Sequence, residues 1–136
     1  MARGRKALVG AARPTLFNQL SDTNRPPLLM VLDGHAMVFR AWFALQNQSM
    51  TVRQTGEEVR GVYGFTNTMF KAISDLRPTH LAIAFDLPGP TFRHEQFTNY
   101  KANRPPAPPE LHAQVTRVKQ IADAMHIPVY EAPGFE

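Results

Sequence analysis

Three apolar runs of four or five residues, at 28–32, 81–85 and 127–130, are spaced along the chain with long helix-period segments between them. Runs this short, bounded by turn residues, suit strands better than helices. Strands that alternate with helices pair in parallel, because a parallel pair needs a crossover of a dozen or more residues. The pattern predicts an α/β fold: a mainly parallel sheet with flanking helices, truncated after about three strands. The first run leads straight into Asp33 and the second into Asp86, and the third is followed within six residues by Glu136. If the three strands are neighbours, their carboxyl ends gather acids at one edge of the sheet, where open α/β sheets bind ligands.

The intervening segments set the layers. A helix over about 36–47 carries Met37, Val38, Phe39, Trp42, Phe43 and Leu45, apolar on most sides, which predicts burial against the sheet. Residues 48–56 are polar, contain Gly56 and read as a connecting loop. A second helix over about 57–76 aligns Val62, Phe65, Met69, Ile73 and Leu76 on one face, and Arg77-Pro78 ends it. The run 81–85 is nearly continuous in apolar residues, as in a strand covered on both faces. Leu87-Pro88-Gly89-Pro90 then excludes both helix and central strand. A third helix starts at Pro108 or Pro109, where proline is tolerated, and reaches about Met125 with Leu111, Val115, Val118, Ile121 and Met125 on one stripe.

Either aspartate alone has an ordinary reading, since Asp33-Gly34 and Asp86 before Leu87-Pro88 both suit turns. Together they imply more. Adjacent parallel strands lie about 4.8 Å apart, and two carboxylates at that spacing stay ionised together only with a cation between them. All-oxygen ligands suit Mg²⁺ or Mn²⁺. His35 could in principle bind zinc, but one nearby histidine and no cysteine favour a packing or hydrogen-bonding role.

Downstream of Asp86, the residues Arg93, Tyr100, Lys101 and Arg104 fall within twelve positions that hold one acid, Glu95. Arginine grips phosphate with two donors, lysine acts as a point charge, and a tyrosine ring stacks on an unpaired base. The alternative for this segment is a solvated loop. Arg40 sits two turns into a mostly apolar helix, where a guanidinium calls for an anionic partner, either a phosphate or a structural carboxylate.

Composition narrows the setting. The 136 residues hold no cysteine, and no apolar run approaches the roughly 20 residues that span a membrane. The net charge of +4 belongs to the first 25 residues, which carry five basic residues against one acid; ten bases face ten acids in the remainder. Residues 1–27 lack periodicity and end on Asn24-Arg25-Pro26-Pro27, so they read as a basic disordered tail, with an organelle transit peptide or an over-long start as alternatives.

Read in order, the motifs are Leu32-Asp33-Gly34-His35 with Arg40; Val62-Tyr63-Gly64-Phe65; Ala84-Phe85-Asp86 with Phe92-Arg93-His94-Glu95; Tyr100-Lys101-Ala102-Asn103-Arg104; and Pro133-Gly134-Phe135-Glu136. Over about residues 28–136 this series resembles the 5′-nuclease domain at the amino end of bacterial DNA polymerase I, related to flap endonucleases and phage 5′-exonucleases. The resemblance implies that Asp33, Asp86 and Glu136 bind a pair of divalent metals. It implies that Arg40 and Arg93 contact phosphates around the scissile bond. Tyr100, Lys101 and Arg104 would belong to a helical arch, about 91–109, that passes the single-stranded 5′ end, with Lys101 approaching the reacting phosphate. Arg40, Arg93 and Lys101 would then be catalytic.

The implied reaction is metal-dependent hydrolysis of a DNA phosphodiester near a junction of single and double strand. The implied partner is DNA with a 5′ flap or end, with no membrane and no obligate protein partner, in the bacterial cytoplasm. In the family the last motif continues into Ala-Asp-Asp and further strands. The chain is thus expected to be the amino-terminal part of such a domain, inactive or weak alone. The alternative is a non-catalytic module that binds single-stranded or flapped DNA through Arg93, Lys101 and Arg104. A phosphatase or nucleotide-binding domain is disfavoured, because no Gly-x-Gly-x-x-Gly or P-loop occurs and Asp33-Gly34-His35 lacks a second aspartate.

Overall fold

The computed structural model of the protein describes residues 25–87, 89, 91–97, 99 and 106–134. The first apolar run becomes β1 (Leu29–Asp33), which passes without a loop into α1 (Gly34–Ala44). Next come α2 (Arg60–Leu76) and β2 (His80–Phe85), then the short α3 (Phe92–Gln96), α4 (Pro109–Ala124) and β3 (Val129–Glu131). The three strands form one sheet in the order β1-β2-β3, with both pairs parallel, as the alternation of strands and helices predicts. No helix among the described residues is long and apolar enough to cross a membrane.

The core lies between the sheet and the helices. Met30, Leu32, Leu81, Ile83 and Phe85 face Val38, Trp42, Phe65, Met69, Leu111 and Val118, all buried. Alternation along β1 is strict: Met30 and Leu32 are buried while Leu29 is 63% and Val31 57% exposed. By register Leu29 pairs with His80, Val31 with Ala82 and Ala84 with Tyr130, so these residues share the opposite face. That face is a shallow apolar depression with Tyr130 exposed at its edge. The run 81–85 is nonetheless buried nearly throughout, as expected, with Ala82 6% exposed and Ala84 half-buried between its exposed neighbours. The side chains of Ala82 and Ala84 are short, so the flanking strands shield them even where Leu29 and Val31 stay exposed.

Boundaries shift for local reasons. α1 begins at Gly34, earlier than its apolar pattern suggests, because Asp33 caps it through a side-chain oxygen that accepts from the Ala36 N–H. Phe43, counted among its apolar sides, is 53% exposed. Leu76, expected on the buried stripe of α2, is also exposed; it is the last helical residue before Arg77 takes a left-handed φ of 45°. β3 starts at Val129, after Ile127 and Pro128. The short helix α3 falls within the segment, about 91–109, that the resemblance assigns to a helical arch.

One polar contact in the core is not evident from periodicity. α2 has no side-chain cap of its own; instead Gln114, on α4, accepts the Val62 N–H at 3.0 Å through Oε1. Gln114 is fully buried, and a Cβ at position 61 would lie 2.6 Å from that oxygen, so a larger residue there would have to displace the amide. The bond satisfies a donor that the first turn of α2 would otherwise leave orphaned.

The asymmetry of the sheet predicts unequal tolerance. Ile83→Ala should cost about 2–5 kcal/mol in urea unfolding, whereas Val31→Thr should stay within about 0.5 kcal/mol. Equal losses would show that the Val31 face is packed.

Candidate functional site

Asp33 is the last residue of β1 and pairs in register with Ala84; Asp86 lies two residues beyond Ala84, just past the end of β2. The two acids therefore stand at the carboxyl ends of adjacent parallel strands, about 4.8 Å apart across the strands and offset by two residues, about 6.6 Å, along them. Both are exposed. Asp33 gives Oδ1 to the Ala36 N–H at 2.9 Å. A carboxylate has about four acceptor positions, so this cap leaves capacity for another partner.

Asp33-Gly34 is not a turn here. Gly34 is the first helical residue, and its Cα side faces the ring of Phe85. A Cβ at position 34 would sit 2.3 Å from Phe85 Cε1. Glycine is needed because the end of β2 presses against the start of α1.

His35 closes the same gap. Its Nδ1 accepts the backbone N–H of Asp86 at 3.1 Å. The ring stands edge-on to Phe85 (centroids 5.4 Å, 82°) and to Phe39 (6.3 Å, 65°). Burial lowers its pKa below 6.5; the carboxylates of Asp86 and Asp33 oppose this, while Lys119 and His112 add to it. The ring is thus neutral at neutral pH, the form whose Nδ1 can accept. Both rim carboxylates act on this one ring. His35 has the packing and hydrogen-bonding environment that the sequence favours.

A cation that sequence pattern does not single out also stands here. Lys119, on α4, pairs with Glu131, the register partner of Phe85, and its Nζ lies 4.9 Å from the Phe85 ring centroid. Nothing in the periodicity of α4 marks it, because a lysine beside a buried stripe is ordinary.

Arg40 is exposed on α1, so water can satisfy its guanidinium and the premise that it needs an anionic partner falls away. Arg93 is exposed on α3, with its guanidinium carbon 5.7 Å from the Phe92 ring centroid. α3 is held in place at its start: Thr91 and His94 form a reciprocal cap, with the Thr91 N–H donating to His94 Nδ1 at 3.0 Å. The Phe92 N–H donates to the carbonyl of Gly134 at 3.1 Å. The segment leaving Asp86 thereby meets the turn that precedes Glu136. Tyr100, Lys101, Arg104 and Glu136 themselves lie outside the described residues.

Among the described residues no group of three or more His, Cys, Asp or Glu side chains is arranged to hold a metal ion. The oxygens of Asp33 and Asp86 fit Mg²⁺ or Mn²⁺ in type but fall short of a full set in number.

The close approach at Gly34 is directly testable. Gly34→Ala should destabilise the chain by about 1–3 kcal/mol through overpacking against Phe85. Adding Phe85→Leu should recover part of that loss, a coupling that a double-mutant cycle would detect. Strict additivity would refute the contact.

Comparison with known proteins adds family context. Residues 28–136 match the family described as 5′-3′ exonuclease, N-terminal resolvase-like domain. The chain is 41% identical over 110 residues to DNA polymerase I of Chloroflexus aurantiacus, covering 81% of this chain and 12% of that protein. It is 38% identical over 118 residues to DNA polymerase I of Mycobacterium leprae, covering 87% of this chain and 13% of that protein. Among solved structures, the T5 D15 protein co-crystallised with metal ions matches with a TM-score of 0.48 and 20% identity, covering 78% of this chain and 39% of that one.

Proposed function

Because this chain belongs to the 5′-3′ exonuclease N-terminal resolvase-like domain family, we propose that it contributes the amino-terminal half-site of a metal-dependent 5′-3′ exonuclease or flap endonuclease. Its parent would be a DNA polymerase I-type protein of the bacterial cytoplasm, acting on 5′ flaps in replication and repair. The observation that carries this reading is the placement of Asp33 and Asp86 at the carboxyl ends of the paired parallel strands β1 and β2. Carboxylates gathered at one rim repel each other, and a divalent cation held between them would offset that repulsion.

In this reading Asp33, Asp86 and Glu136 hold Mg²⁺ or Mn²⁺. A bound ion there supplies Lewis acidity toward a phosphate oxygen and lowers the pKa of water. The protein's own groups do the positioning. The helix cap on Asp33 limits the rotation of that carboxylate. Arg40 and Arg93, both exposed, can each donate twice to a phosphate. Lys101 adds positive charge near the reacting phosphate, and Tyr100 with Arg104 guides the unpaired strand. The chain spans 12% to 13% of these relatives' length. Two carboxylates among the described residues are fewer ligands than such an ion needs, so weak or no cleavage by the chain alone is expected.

The test replaces the matching segment of Chloroflexus aurantiacus DNA polymerase I with residues 28–136 and assays a 5′-flap duplex with Mg²⁺. The hybrid should cut the flap, and Asp33→Asn or Asp86→Asn should each lower the rate on the order of 100-fold or more. Undiminished cutting in either variant would contradict the assignment. Salt-sensitive flap binding that survives EDTA, with no product formed, would instead favour a non-catalytic DNA-binding module.

A further inference from the structure

We propose that His35 is a positioning residue for the acidic rim: by accepting the Asp86 N–H on Nδ1, it ties the end of β2 to the first turn of α1 and so sets the spacing of Asp86 from Asp33. The proposal rests on the metal-site reading of those two acids.

The geometry explains why an acceptor is needed at this point. Pairing of β1 with β2 ends at Asp33 and Ala84, so the N–H of Asp86, which faces the β1 side as that of His80 does, lies past the end of that ladder. His35 takes that donor at 3.1 Å. In the same turn Asp33 Oδ1 takes the Ala36 N–H at 2.9 Å. One helical turn is therefore fastened by one acid's side chain and grips the other acid's backbone. Phe85 and Phe39, edge-on to the imidazole, restrict its plane. The absence of a Cβ at Gly34 lets Phe85 reach this position. A histidine kept only for packing would need the two ring contacts and not the bond to Asp86. Outer residues that orient metal ligands commonly change metal affinity 10- to 100-fold when replaced.

Two variants separate bonding from packing. In His35→Asn the amide Oδ1 stands where Nδ1 does and keeps an acceptor; in His35→Leu an apolar group of similar bulk removes it. Amide hydrogen exchange on the metal-free chain should show Asp86 protected in the native protein and in His35→Asn, and exposed in His35→Leu. Mn²⁺ titration of the same chains should give His35→Asn within about threefold of native affinity and His35→Leu about tenfold weaker or more. Thermal stability in EDTA, measured on both variants, separates this loss from general unfolding.

Equal Asp86 protection in all three chains, or equal loss in both variants tracking their stability, would overturn the proposal. So would native Mn²⁺ affinity in His35→Leu. A native chain that takes up no Mn²⁺, or whose uptake ignores Asp33→Asn and Asp86→Asn, would count against the metal reading itself, and the Asp86 exchange pattern would then decide the role of His35.

Discussion

The parallel pairing of β1 with β2 governs everything built at this rim. Its register, from Leu29 opposite His80 to Asp33 opposite Ala84, decides where the acids stand. A slip of one residue would turn Met30 and Leu32 away from the helices. A slip of two would keep their burial but displace Asp33 along the strand by about 7 Å relative to Asp86. Side-chain alternation rules out the first slip. The second is opposed by the fit of Phe85 against Gly34, since the ring has room only where no Cβ projects.

Around that fit the rim gathers groups of both signs. Asp33 and Asp86 supply negative charge, Lys119 is engaged by Glu131, and His35 stands neutral among them. Phe85 touches this set from several sides: it abuts Gly34, meets the imidazole edge-on and lies beneath the Lys119 ammonium. A single aromatic residue at the end of the central strand thus couples core packing to the placement of charge. Its 3% exposure shows that it belongs to the core as much as to the rim.

Much of this was legible in the sequence, for physical reasons. Short apolar runs ending on Asp33 and Asp86 reveal strand ends because period-two burial and turn chemistry are local. The stripe Leu111, Val115 and Val118 reveals α4 because helical periodicity is local too. What stayed hidden depends on contacts far apart in the chain. Gln114 looks like a surface residue until α2 arrives with an uncapped N–H 52 positions away in sequence. His35 and the Asp86 N–H are 51 positions apart, and no spacing rule links them. The exposure of Leu29 and Val31 was not legible, because an apolar run does not say which of its faces meets a helix. Arg40 seemed to need a partner because helix composition cannot tell which side meets water.

The central claim is that Asp33 and Asp86 act together on one divalent cation. Anomalous diffraction from crystals of the chain grown with Mn²⁺ tests it most directly. The account predicts a peak within coordination distance of both carboxylates, about 2.0–2.2 Å for an oxygen ligand of such an ion. Mn²⁺ bound elsewhere, with the two aspartates turned apart into solvent, would contradict it.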